Sequence, residues 1–216
     1  PIPELVNTTK KVIENSNNTI LIEKPGSVFK KDLLELEKLI KKEKVGLAYN
    51  RFFYPSFHKL KLLTENEGGI TSCKFDFTEW LHTIEVKKYD NEVCKRWGIS
   101  NSLHVISMAL ELIGMPKKIS AYQKGSLEWH PTGTIFVGSG LSQKGIPFSY
   151  HANWGGGGRW GIEVITKENT YRLSPLEKLF VSKKGTIEWN EIPLQNAFSD
   201  VKEGIAEEIA TMLNDE

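Results

Sequence analysis

Ile20-Leu21-Ile22-Glu23-Lys24-Pro25-Gly26 is an apolar run that stops on a charged pair and a proline. Branched aliphatic side chains favour a packed strand, whereas glutamate and lysine resist burial, so residues 19–23 read as a strand with its charges at the carboxyl end. In open α/β sheets that end is the ligand side. Upstream, residues 5–15 carry helical periodicity into the strand. Downstream, Ser27 is placed to cap a helix over 31–40 with leucines at helical spacing, and 45–49 reads as a second buried strand. That strand also ends on polar groups, Asn50 and Arg51, and after Phe52, Phe53, Tyr54 and Pro55 a helix over 56–65 follows.

Past Gly68-Gly69 the pattern changes. Residues 70–80 alternate as a strand that puts Cys73, Phe75 and Phe77 on one face. A strong helix over 101–112 is stopped by Gly114 and Pro116. Strands are then expected over 119–123, 134–139, 147–154, 160–166, 170–173 and 179–182, with a last helix over 201–213. Alternating α and β units followed by a mostly antiparallel sheet with one packed helix imply a two-domain α/β plus α+β chain, divided near 51–69.

Composition excludes several function classes. The 216 residues carry 28 basic and 27 acidic side chains, a net charge of +1, so no electrostatic argument favours nucleic acid or an anionic membrane. Lys41, Lys42 and Lys44 around Glu43 read as the solvated end of a helix. Cys73 and Cys94 are too few for a disulfide framework. With His82 and His104 they stand eight to eleven intervening residues apart, which is not metal-ligand spacing, so no metal is expected. With no apolar run of membrane-spanning length and no signal peptide, the expected compartment is the cytoplasm. The sequons at Asn7 and Asn17 read as chance.

Three local signals carry chemistry. Gly155-Gly156-Gly157-Gly158-Arg159 lacks the lysine and following helix of a phosphate loop, and reads as a flexible turn that delivers Arg159 and Trp160 to a cleft. Trp80, Trp97, Trp154 and Trp160, near loops or strand ends, offer ring faces suited to sugars as well as to core packing. In Trp97-Gly98-Ile99-Ser100-Asn101-Ser102-Leu103-His104, Asn101 lies three residues before His104, so both are expected on one face of one helical turn.

Ile22-Glu23-Lys24-Pro25, then Val45-Gly46-Leu47-Ala48-Tyr49-Asn50-Arg51-Phe52, then Asn101-Ser102-Leu103-His104 followed by Gly114, resemble in order and spacing the Gfo/Idh/MocA oxidoreductases, relatives of glucose-fructose oxidoreductase and inositol dehydrogenase. The resemblance implies an NAD or NADP cofactor, a proton-handling His104, and a Lys24 that contacts substrate and cofactor. With Lys24 so placed, Glu23, Lys24, Pro25 and Arg51 are expected on the cofactor side of one cleft, and Asn50, Tyr54, Trp97, Asn101 and Arg159 on its substrate side. The sequence departs from the family where an aspartate is common four residues before the histidine and three after it, because Ser100 and Ser107 stand there; whether Asn101 takes over is open. No G-x-G-x-x-G joins a strand to a helix, so the resemblance implies that roughly a hundred residues of the dinucleotide-binding half are not in this sequence. Residues 1–50 then correspond to the end of a Rossmann domain and 51–216 to a substrate and oligomerisation domain, and the chain alone is expected to be inactive.

The resemblance implies oxidation of a secondary hydroxyl on a sugar, nucleotide-sugar or polyol. The base beside the hydroxyl should titrate near neutrality, which suits histidine, while a lysine stabilises the developing alkoxide. Two other classes fit the residues: an NAD-dependent glycosidase of the same fold, and a non-catalytic sugar-binding or assembly subunit. A homo-oligomer is expected through the open sheet, where Phe136, Val137, Phe148 and Tyr150 place apolar groups on both alternations.

Overall fold

A computed structural model describes residues 1–40, 45–195 and 200–214; the lysine run at 41–44 lies outside the described residues. The chain is mixed α/β, with a small parallel sheet and a large, mostly antiparallel one, the fold class expected from the sequence.

Helix α1 (Ile2–Asn15) begins earlier than its periodicity suggests, because prolines are tolerated in a first turn. Strand β1 (Ile20–Glu23) pairs in parallel with β2 (Val45–Ala48), Ile22 opposite Leu47, and helix α2 (Lys30–Leu39) makes the crossover that parallel pairing requires. Lys10 of α1 donates to Glu35 of α2 at 2.9 Å. Burial of these strands is less complete than their composition suggests: Ile22 is buried, but Leu21 and Leu47 are each 39% exposed. Ser27 does not cap α2. The helix starts after Phe29, and the Ser27 hydroxyl instead accepts the Phe29 N–H and donates to Asp32.

After a 3₁₀ turn (Asn50–Phe53), helix α3 (Pro55–Asn66) leads to β3 (Ser72–Phe77), the strand around which the large sheet is built. A short helix α4 (Asn91–Lys95), capped by Asp90, and a π turn (Gly98–Ser102) precede α5 (Leu103–Ile113), which Gly114 terminates with φ 85°. Strands β4 (Pro116–Lys124), β5 (Ile135–Ser142), β6 (Pro147–Asn153), β7 (Trp160–Ile165), β8 (Asn169–Leu173), β9 (Phe180–Lys183) and the short β10 (Asn190–Glu191) complete the sheet. Its order is β10-β9-β8-β7-β3-β6-β5-β4, antiparallel except for β3 against β6. That parallel pair exists because the long β3-to-β4 connection carries α4 and α5 across the sheet.

One face of the sheet packs on α5 and α3. Cys73, Phe75, Phe77, Ile162, Val164 and Leu173 meet Val105, Met108, Leu112, Phe57 and Leu60 in a single core. The other face carries charge, with Arg172 and Lys74 both on Glu163. This alternation corrects the expected oligomer surface: Phe148 is buried, and Phe136 and Tyr150 pack against the core, leaving only Val137 of the four outside. Ile119, Tyr122 and Ile165 are the other exposed large apolar groups of the sheet.

Helix α6 (Ile205–Asn214) returns to the start of the chain, with the Met212 sulfur close over Gly46. Gly204, at φ 78°, brings the chain against the Asn50 carbonyl so closely that a Cβ would collide with it. Among the described residues, no helix is long and apolar enough to cross a membrane.

Candidate functional site

Lys24 leaves the end of β1 and turns inward, where Nζ donates to the Ser100 carbonyl oxygen at 2.8 Å. That carbonyl belongs to the π turn, whose hydrogen bonding departs from the α-helical ladder; such turns recur at functional sites. The Ser100 hydroxyl faces away, bonded to the Val93 and Arg96 carbonyls.

Beside this contact lies a cavity of 230 Å³, lined among others by Lys24, Glu79, Tyr89, Trp97, Asn101 and Arg159. The glycine loop delivers Arg159 here between β6 and β7. The guanidinium bonds Glu79 at 3.2 Å and lies 5.0 Å from the Trp80 ring centre, and Trp80 Nε1 donates to the Gly158 carbonyl at 2.6 Å. Asn101 does not share the histidine's surroundings. Because the π turn intervenes before α5, its amide is drawn to Glu79, which accepts its Nδ2–H at 2.9 Å.

His104 is 7% exposed and packs between Tyr49 and Trp160, with ring centres 5.7 and 6.1 Å away. His104 is not among the residues that line the cavity, and neither is Trp160, whose ring centre lies 4.4 Å from both Arg51 and Arg159. Burial, with Arg51, Lys24 and Lys202 nearby, pushes the imidazole down to about 3, so it is neutral at working pH and is not the near-neutral base anticipated from the residue type. The same reasoning applies to Lys24, whose ammonium is lowered from 10.5 by burial and by Arg51 while Glu23 and Glu79 oppose the fall.

Several buried polar atoms around Lys24 and His104 are unpaired. Among the described residues, His104 Nδ1, Arg51 Nη1, Trp97 Nε1 and Trp160 Nε1 are buried with no hydrogen-bond partner. Of these four residues only Trp97 lines the cavity, where its indole N–H is an unused donor.

The remaining anticipated residues lie elsewhere. Glu23 is exposed at the strand end, and Pro25 is buried in the turn after it. Asn50 donates to the Glu203 carbonyl at 3.1 Å, which ties down the segment before α6. Tyr54 is 2% exposed and joins Arg51 to Glu177 through its hydroxyl, away from the cavity lining. Glu79 was missed. Its signal was the one that singled out Lys24, a charged residue just beyond an alternating strand, in Phe77-Thr78-Glu79-Trp80.

No protein-family model matches the sequence, and no curated protein matches it. Solved structures do match in fold. UDP-N-acetylglucosamine 3-dehydrogenase from Acidithiobacillus ferrooxidans superposes with a TM-score of 0.75 at 12% identity, covering 99% of this chain and 66% of that one. Levoglucosan dehydrogenase, in complex with NADH and levoglucosan, gives 0.69 at 14% identity, covering 89% and 59%. An inositol dehydrogenase homologue from Azotobacter vinelandii, in complex with NAD+, gives 0.70 at 12% identity, covering 89% and 55%. The chain therefore spans no more than 66% of the length of these proteins.

Proposed function

We propose that this chain forms the substrate side of an NAD(P)-dependent dehydrogenase that oxidises a secondary hydroxyl of a sugar, nucleotide-sugar or polyol. The observation that carries the proposal is that Lys24, at the carboxyl end of β1, lines the cavity and its charge reaches His104, which is buried outside the lining on the helix that packs the large sheet, with Nδ1 unpartnered. The fold shared with two dehydrogenases and an inositol dehydrogenase homologue supports it, two of the three solved with a nicotinamide cofactor.

In this reading the substrate hydroxyl lies between Lys24 and His104. The neutral imidazole takes the hydroxyl proton, and the Lys24 ammonium stabilises the negative charge that develops on oxygen. The depressed imidazole is already unprotonated, as oxidation requires, but it is a weak base for the hydroxyl proton. The surrounding cations also lower the hydroxyl's own pKa, which offsets the weakness of the base. Trp97, Asn101 and Arg159 hold the remaining sugar oxygens in the cavity. Glu23, Lys24, Pro25 and Arg51 would hold the nicotinamide side of the cofactor, which would supply the acceptor for the hydride from the hydroxyl-bearing carbon. Lys24, Arg51 and His104, whose charges act on one another, are the residues that would meet the nicotinamide end of such a cofactor, and Arg51 Nη1 and His104 Nδ1 are unpartnered. Residues 1–50 make the dinucleotide-side unit and 51–216 the substrate and assembly unit of a cytoplasmic homo-oligomer.

The test is a panel of UDP-N-acetylglucosamine, myo-inositol and levoglucosan offered with NAD+ and NADP+ to the full-length gene product, with formation of reduced nicotinamide and ketone followed together. Ketone in step with reduced cofactor supports the proposal. Cleavage of a glycosidic bond without net cofactor reduction would favour the glycosidase class instead, and binding without either product a non-catalytic subunit.

A further inference from the structure

Glu79 follows β3 by two residues and is 2% exposed, yet its carboxylate forms part of the cavity wall. It gathers three donors. Oε1 accepts the Ser102 hydroxyl at 2.6 Å, and Oε2 accepts Asn101 Nδ2 at 2.9 Å and Arg159 Nη1 at 3.2 Å. These donors come from two separate segments, the π turn before the His104 helix and the glycine loop after β6. An ion pair with a buried carboxylate and a part-exposed guanidinium is a poor source of stability, because desolvating the carboxylate offsets much of its attraction. Its position therefore calls for another account.

Glu67 provides the comparison within the same molecule. It too collects three donors, from Thr166, Asn169 and Tyr171, but these tie the end of α3 to the β7–β8 turn and line none of the Lys24 cavity. Glu79 differs in what it holds: two of its three partners, Asn101 and Arg159, are side chains that line the cavity, and Glu79 shares that cavity with Lys24, whose ammonium it supports after Glu23.

We propose that Glu79 is the positioning carboxylate of this site, fixing Asn101 and Arg159 for the sugar and adding a buried negative charge to the cavity that holds Lys24. The catalytic meaning of this role rests on the dehydrogenase reading. Glu79 does no chemistry itself. It acts through Lys24, which must remain an ammonium to stabilise an alkoxide, and through a guanidinium and an amide that would otherwise turn toward solvent. The charges and titratable groups around Lys24 are Glu23 beside it in sequence, Arg51 and Lys202 which lower it, Glu79 which opposes them, and His104, Tyr89 and Arg159 across the site. Removing Glu79 leaves Glu23, exposed at the strand end, as the remaining anion of that set.

The experiment follows Lys24 directly in the 216-residue chain by NMR of ¹³Cε-labelled lysine across pH, its signal identified by loss in Lys24→Arg. Glu79→Gln should move the Lys24 midpoint to lower pH, Glu79→Asp should restore it toward wild type, and Glu67→Gln, which removes an equally connected carboxylate, should leave it in place. A structural role alone would not separate the two glutamines. Should Glu79→Gln fail to fold, Arg159→Gln reads the same field with opposite sign, because losing the cation that Glu79 neutralises should raise the midpoint. In the full-length gene product, with whichever panel sugar is oxidised, Glu79→Gln should lower kcat/KM by about a hundredfold and shift the alkaline limb of its pH profile toward acid. An unmoved Lys24 in both Glu79→Gln and Arg159→Gln overturns the inference even if sugar oxidation is found. If Lys24 moves as stated but no panel sugar is oxidised, the role of the Glu79 charge stands and the dehydrogenase reading falls.

Discussion

Glu208 lies on the buried side of α6, 4% exposed, next to Glu23 at the end of β1, and its Oε1 meets no hydrogen-bond partner among the described residues. Burial first, and then the Glu23 charge, raise its carboxyl from the ordinary 4.5 to about 7, although the Tyr49 backbone N–H bonds it and pulls the other way. Because the folded-state value lies above the unfolded one, the ionised form opposes folding. The penalty is absent below pH 4.5, grows as pH rises toward 7 and is complete above it. The gap between the two values corresponds to about 3 kcal/mol at most, and solvent relaxation around the pair leaves about 1–2 kcal/mol to be recovered by a neutral isostere. Glu208→Gln should therefore raise Tm by about 2–8 °C at pH 8 and leave it nearly unchanged at pH 4. Thermal denaturation followed by circular dichroism at both pH values measures this. A gain of equal size at pH 4 and pH 8 would refute the reasoning, since it would show that the benefit is not the removal of a charge.

Three further outcomes are expected. In the full-length gene product His104→Ala should lower kcat by about 10²–10⁴-fold, and Lys24→Ala should also act on kcat far more than on the cofactor's Kd, as steady-state kinetics with cofactor titration will measure; a change confined to cofactor affinity would remove both from the chemistry. Gly204→Ala should cost about 1–3 kcal/mol in urea denaturation, because a side chain at φ 78° is strained and would meet the Asn50 carbonyl; an unchanged midpoint would show that the approach of α6 to the Asn50 turn is unimportant to stability. Light scattering at micromolar concentration should find an oligomer that Tyr122→Glu on the exposed sheet face weakens, and a strict monomer would exclude assembly through that face.

Local pattern carried much of the fold. The alternation that put Cys73, Phe75 and Phe77 on one face is the buried face of β3, and Gly114 stops α5 with the positive φ that its identity suggested. Period and punctuation are short-range properties, so sequence can carry them. Where both alternations of a strand looked apolar, as around Phe136 and Val137, sequence could not say which side α5 would cover. The strand that ends in Glu23 and Lys24 was also legible, because a charge just beyond an apolar run marks the edge of burial.

What the sequence by itself determined was therefore the kinds of element, their order and the residue types available for chemistry. The tertiary structure decided which of those residues meet. Asn101 and His104 are three apart and were expected on one face, but the π turn between them sends the amide to Glu79 and leaves the imidazole against Tyr49 and Trp160. Lys24 reaches the Ser100 carbonyl across 76 positions, and Arg159 reaches Glu79 across 80. The physical reason lies in range. Periodicity reports the nearest turn or pleat, whereas the pKa of His104, the charge state of Lys24 and the wall of the cavity depend on burial and on charges brought in by distant segments, and those exist only once the sheets have packed.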